Sequence, residues 1–478
     1  MNNSRVKSIW VVVLMMMFLA SCKLPVIMEK QANPKYPTAY ENGSSDSTNS
    51  GQISWKVFFQ DSNLVSLIDT ALKNNQELNI TLWEIQMAQN EVMARKGEYL
   101  PFLNYRAGAG VDKPARYTEQ GALEATTEIE PGKEFPDPLP DFMGGVYATW
   151  EVDIWHKLRN ARKSAYMEYL SSMDGRNFMI TNLIAEIANS YYELLALDNQ
   201  LQILQQNIQI QNNALKIVRL QKEATRVNEL AVRRFEAQVY KTQSMQFDIH
   251  QQIIETENRI NFLVGRYPQP VTRLQNAFNL LTPDGISVGI PAQMLTNRPD
   301  IRQAEKLMQA AKLDVSVAKA NFYPSLDLSA GIGLRAFNPS YLTSMPESML
   351  YSLAGDVAGP LINRNAIKAM YMNANAHQIQ SVFDYERTVL NAYIEVVNQM
   401  AKIGNLEKSY DLRSKQVDAL NQSVSISNDL FKSARADYME VLMTQRDALE
   451  SRFELVETRK EQMNAMVNIY RALGGGWQ

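Results

Sequence analysis

Residues 318–334 read Ala-Lys-Ala-Asn-Phe-Tyr-Pro-Ser-Leu-Asp-Leu-Ser-Ala-Gly-Ile-Gly-Leu. The first residues continue an amphipathic helical pattern. Pro324 ends it, because proline lacks a donor and disfavours helix in the residue before it. Beyond it, large apolar residues alternate with small or polar ones, as in a strand. The chain makes the same transition 223 positions earlier. Lys96, Tyr99, Pro101, Leu103, Ala107, Gly108 and Gly110 there match Lys319, Phe322, Pro324, Leu326, Ala330, Gly331 and Gly333. A helix-to-strand junction used twice, half a chain apart, predicts a duplicated architecture.

The chain has 478 residues, 45% of them hydrophobic, and a net charge of -3. Such a balance offers no basic surface for nucleic acid. Pro and Gly are scarce across about 156–265 and 361–473, where Gln, Asn, Glu and Lys abound. That mixture suits long amphipathic helices better than one compact core.

The amino terminus reads as an address. Arg5 and Lys7 precede the apolar run Ile9 to Leu19, and Leu19-Ala20-Ser21-Cys22 follows. This is the order of a secretory signal, residues 1–21. Cys22 is the only cysteine, so an intrachain disulfide is impossible. Its setting resembles a bacterial lipobox, which implies cleavage before Cys22 and a covalent lipid on it. Residues 22–60 are expected to be a lipidated tether, rich in Ser, Asn and Pro. No later segment has 18 uninterrupted apolar residues, which argues against membrane-spanning helices and leaves strands as a crossing.

Moving outward, a helix is predicted from Asp61 or Ser62 to about Glu98, then a strand at about 102–112. Residues 113–141 read as an acidic, solvated loop, followed by a strand at about 143–155. A long helix runs from Lys157 to about Lys222. Leu183, Ile187, Tyr191, Leu194, Leu197, Leu201, Leu204 and Ile208 form its coiled-coil seam. About 65 helical residues at 1.5 Å rise reach ~100 Å, more than any compact domain needs. A return helix closes at Gly265, making 61–265 one structural repeat and 266–297 a connector. The second repeat, 298–478, holds a helix to Phe322 and strands at about 325–336 and 349–362. A long helix over 363–432 and a return helix from about Asp437 complete it. At the hairpin turns, Lys222-Glu223-Ala224-Thr225-Arg226 matches Lys432-Ser433-Ala434-Arg435-Ala436.

Four strands cannot close a membrane barrel, since the smallest closed ones have eight. An open sheet cannot face lipid with unpaired edges. Several copies must therefore share one barrel, with the helices continuing it as a tube.

Leu473-Gly474-Gly475-Gly476-Trp477, Arg298-Pro299-Asp300-Ile301, Ala320-Asn321-Phe322-Tyr323-Pro324 and Trp150-Glu151-Val152-Asp153-Ile154 occur in order along the chain. Together they resemble the outer-membrane efflux lipoproteins that serve resistance-nodulation-division pumps. The resemblance runs from Cys22 to Trp477. It implies a mainly α fold with membrane β: a trimeric twelve-stranded transmembrane β-barrel, four strands per chain, on a long coiled-coil α-helical barrel with a two-fold internal repeat. It implies a passive export channel in the bacterial outer membrane, lipid-anchored and reaching into the periplasm. Its partners would be two further copies, a periplasmic adaptor and an inner-membrane pump. It also implies adaptor contacts at Ala224, Arg226, Ala434 and Arg435, and an acidic periplasmic aperture at Asp437 and Glu440; Arg226, Arg233 and Arg435 are candidate partners for those acids. Family members usually carry glycine at both hairpin turns, where this chain has Ala224 and Ala434, and glycine where it has His156.

No catalytic constellation is evident. His156, His250 and His377 lie in separate segments without metal-ligand spacing. Met370 with Met372, and Met463 with Met466, read as packing residues. Beyond the lipid on Cys22, no cofactor is expected. A protein-secretion duct of type I and a non-pore coiled-coil lipoprotein are the alternatives; the repeated strand junctions disfavour the second.

Overall fold

In a computed structural model of the chain, the described residues are 24–33, 35–40, 48–274, 278, 286–362, 364–433 and 435–477. The leader 1–21, Cys22 and Ala434 lie outside them. Two compact units emerge. One comprises residues 24–31, Gln86–Tyr169 and Lys306–Val382; the other comprises the described parts of Ala32–Ile85, Leu170–Glu305 and Phe383–Gln478.

The predicted helix from 61 to 98 is two helices. In α1 (Ser62–Asn74), Asp61 accepts from Asn63 N–H at 2.8 Å as the N-cap, and Leu64, Leu67, Ile68 and Ala71 are buried. Asn75 then leaves the helical region with ψ 126. Its carbonyl oxygen Oδ1 accepts from Leu78 N–H at 2.9 Å, and its Nδ2 donates to Leu263 O at 2.9 Å. A short amide that bonds nearby backbone ends one helix and starts the next, α2 (Gln76–Glu98).

The first unit holds a four-stranded antiparallel meander: β1 (Phe102–Asp112), β2 (Leu139–Glu151), β3 (Ser325–Ala336) and β4 (Met349–Ala358), paired in that order. β2 begins and ends four residues before the expected 143–155. Asp153 explains its end. Its carboxylate accepts the N–H groups of Leu158 and Arg159 at 3.0 Å each, so residues 152–156 become the lead-in to the next helix. His156, where the resemblance implies glycine, turns the chain with φ 59. β4 stops at Ala358 instead of 362, because Gly359 packs against Pro324 and Pro360 has no N–H to pair. The stretch 113–138 is more than an open loop. It forms a helical turn at Glu119–Glu124, capped by Thr118, and a hairpin of Glu128–Glu130 with Lys133–Glu134.

The long helices are α3 (Lys157–Glu223), α4 (Glu229–Val264), α6 (Asn365–Lys432) and α7 (Tyr438–Ala472), with α5 (Pro299–Ala320) preceding β3. In the second unit, the α3 seam residues Ile187, Tyr191, Leu194 and Leu204 are fully buried with Ile68, Ile260 and Tyr470. Each large apolar side chain so buried contributes roughly 1.5–3 kcal/mol. Among the described residues, no helix is long and apolar enough to cross a membrane.

The expected tether 22–60 is docked where it is described. Leu24 and Ile27 pack on Phe322 and Tyr371 in the first unit. In the second, Tyr40 stacks on Tyr393 with centroids 5.5 Å apart, and Trp55 and Phe59 join the main core. Ser, Asn and Pro make this segment look loose, but its aromatic residues find apolar surface and hold it.

Candidate functional site

Strand register decides the sheet's chemistry. One face carries Leu103, Tyr105, Val146, Trp150, Leu328, Ile332, Tyr351, Leu353 and Val357, a continuous apolar layer. The opposite face carries Asn104, Arg106, Tyr147, Thr149, Ser329, Arg335 and Ser352. On that face Glu151 pairs across with Asp327, and Asp327 pairs across with Asp356, so three carboxylates lie in one row. Lys157 Nζ donates to Glu151 at 2.8 Å, and Ser325 Oγ donates to Asp327 at 2.9 Å. Asp356 is exposed and meets no partner among the described residues. Nearer the far end, Arg335 binds Asp141 through two bonds of 2.8 Å. The face of Glu151 was readable from the sequence; the row was not, because it depends on how the strands align.

Both hairpin turns close in the same way. Arg226 N–H donates to Gln221 O, and Arg435 N–H donates to Leu430 O, each at 2.8 Å. Asn228 and Asp437 then stand at the N-caps of α4 and α7. These pairs are 209 residues apart, so Arg226 corresponds to Arg435 and Ala224 to Ser433, one residue off the sequence match of Ala224 with Ala434. The left-handed residue of the first turn is Thr225, with φ 55, and not Ala224.

Asp437 and Glu440 are exposed at the start of α7. Asp437 makes no side-chain cap bond. Arg233 does not reach them; it pairs with Glu229 at 2.8 Å and Glu236 at 3.0 Å on its own helix. Lys222 also binds Glu229, and Arg219 meets Glu236 at 2.7 Å. The Lys222 ammonium is the main reason the Glu229 carboxyl sits below its ordinary range, and Arg219 does the same for Glu236. Ala224, Arg226 and Arg435 are exposed around the turns.

The motif Arg298-Pro299-Asp300 builds an anchor that sequence spacing did not reveal. The buried Arg298 guanidinium binds Asp300 at 2.8 Å, Glu395 at 2.9 Å and the Ala472 carbonyl at 2.8 Å. Burial alone would lower its proton affinity, but the Asp300 and Glu395 carboxylates raise it above the ordinary value. Just beyond, Gly474 has φ 85 and its backbone lies so close to Asn297 that a Cβ would sit 2.5 Å from the carbonyl oxygen. Gly475 faces the Tyr470 ring at a similar approach. Trp477 can therefore fold back and donate to Asn297 O at 3.0 Å, with Arg302 over its ring.

Among the described residues, no three His, Cys, Asp or Glu side chains gather as metal ligands. Met463 and Met466 are buried in packing, whereas Met370 and Met372 are exposed.

The family model described as outer membrane efflux protein matches residues 67–266 and 290–475, and the chain belongs to that family. It is 27% identical over 436 residues to the pyoverdine export outer membrane protein OpmQ of Pseudomonas aeruginosa, covering 91% of this chain and 90% of the relative. It is 25% identical over 469 residues to the solvent efflux pump outer membrane protein SrpC of Pseudomonas putida, with 97% of each covered. Among solved structures, CusC matches with a TM-score of 0.82 at 22% identity, over 94% of this chain and 100% of that one. The open state of the Neisseria gonorrhoeae MtrE outer membrane channel matches with a TM-score of 0.83 at 21% identity, over 95% and 99%. These similarities show a shared fold.

Proposed function

We propose that the protein is the outer-membrane channel of a tripartite efflux system, conducting substrates passively and performing no reaction of its own. The observation that carries this reading is the sheet: apolar on one face, charged on the other, with both edge strands, β1 and β4, left open. In lipid each unpaired edge peptide group would cost several kcal/mol, so further copies must complete the ring. Three copies give a twelve-stranded barrel wide enough for water. The exposed apolar residues Tyr240, Phe247 and Ile254 recur every seventh position on α4, and Phe383 and Leu390 do so on α6. Such stripes suit helix packing between copies in a helical tube. The two like-ordered halves are then an internal repeat that supplies the tube's pseudo-symmetry.

The export and efflux roles in the relatives' names support a pump and an adaptor as partners. The turn residues Ala224, Arg226, Ala434 and Arg435 would meet the adaptor, and Asp437 and Glu440 would narrow the periplasmic end. Lipid on Cys22 would anchor the chain to the outer membrane. Purified full-length protein in a planar bilayer, with its mass measured in detergent, tests the reading. Discrete conducting steps from a trimer are expected; a non-conducting monomer overturns it.

A further inference from the structure

Within the second unit, a cavity of about 210 Å³ lies between α3, α6 and α7. Its polar lining is Asn199, Gln202 and Gln206 from α3, Tyr410 from α6, and Arg452 and Arg459 from α7. No described lining residue is acidic. Arg273, Arg298 and Arg413 of the same unit each face a carboxylate. Arg452 and Arg459 have none among the described residues. Arg452 is oriented by Asn421, whose Oδ1 accepts from its Nε at 2.9 Å. Arg459 lies 4.2 Å from the Tyr410 ring centroid and donates from Nη1 to Gln462 at 3.1 Å. Its Nε is buried and has no acceptor.

Two deficits coincide here. A buried N–H without an acceptor has lost its water and gained nothing in return. Two guanidinium groups share one recess without a counter-charge, and partial enclosure weakens solvent screening of that charge. An oxyanion answers the second deficit, because the guanidinium fork matches the geometry of carboxylate and phosphate oxygens. Stacking on Tyr410 fixes the plane of one fork, and the α3 amides offer neutral donors. The volume falls short of the ~300–1,000 Å³ typical of drug-sized ligands, so the space suits a small anion and not transported cargo.

We infer that this cavity binds a small oxyanion, a phosphate or carboxylate, held by Arg452 and Arg459 so that it ties α7 to α3. The inference does not depend on conduction by the channel.

The test uses the full chain in detergent, titrated with inorganic phosphate and separately with citrate, at ionic strength held constant with chloride. Calorimetry should show one saturable site per chain for at least one anion, and thermal unfolding should shift upward with its concentration. The two titrations separate phosphate from carboxylate as the preferred class. Arg452→Gln and Arg459→Gln should each weaken binding at least tenfold, and Lys415→Gln, an equal loss of charge on the exposed side of α6, should not. If an arginine variant fails to fold, Gln206→Leu, at an exposed lining position, should still weaken binding severalfold. Heats no larger than those of chloride, equal weakening by Lys415→Gln, or unchanged binding in Gln206→Leu and the arginine variants would overturn the inference.

Discussion

Asp327 and Asp356 stand directly opposite each other on β3 and β4, and Glu151 extends the row onto β2. Like charges at cross-strand positions destabilise a sheet. Their retention on the face that would line a pore makes sense as a field that favours cations. Asp356→Asn should therefore reduce cation preference, read as a smaller reversal potential across a salt gradient in a planar bilayer. Its melting temperature should stay the same or rise. An unchanged reversal potential would remove this row from selectivity.

Glu440 is exposed in the first turn of α7, and Arg233, a possible neutralising partner, is bound elsewhere. Three uncompensated carboxylates near one axis would repel one another and bind cations. Glu440→Ala should raise single-channel conductance. If conductance does not move, Glu440 is not part of the aperture.

Arg273 fastens the start of the connector to α3 and α4, binding Asp198 at 2.6 Å together with Glu257, and all three side chains are largely buried. Removing one partner strands buried charges, at about 3–5 kcal/mol. Arg273→Ala should lower the melting temperature far more than Arg446→Ala, which removes an exposed pair.

Thr225 holds a left-handed φ of 55. That conformation costs an L-residue roughly 1–2 kcal/mol, while glycine loses about 0.5–1 kcal/mol in chain entropy. Thr225→Gly should leave the turn more stable, by up to about 1.5 kcal/mol, and slow amide exchange over residues 220–230. Faster exchange would count against strain at this residue.

The same turn should weaken in acid. Glu229 and Glu236 have carboxyl groups lowered first by Lys222 and Arg219. For lowered acids, stability is present above the unfolded value and is lost as pH falls through the folded one. Amide exchange near the turn should accelerate only below the ordinary carboxylate range. The effect should be small, because exposed pairs contribute little.

Several features were legible because their causes are local. Pro101 and Pro324 end helices through their own missing donors, and the α3 seam follows from residue spacing alone. Gly474 and Gly475 mark the end of the last helix, whereas the close approach of their backbone to Asn297 and Tyr470 came only with the structure. Asn75 was harder: its amide breaks the helix while also reaching Leu263, 188 residues away. Thr225 was harder too, because threonine does not favour the left-handed φ that it holds.

Sequence alone therefore determined the order of the long helices and of the four sheet strands, and the apolar and polar sides of β1 and β2. Tertiary structure decided which charges meet. Periodicity acts over a few residues along one backbone, whereas the row of Glu151, Asp327 and Asp356, the Arg298 anchor and the unmatched pair of Arg452 and Arg459 arise only when distant segments settle into one register.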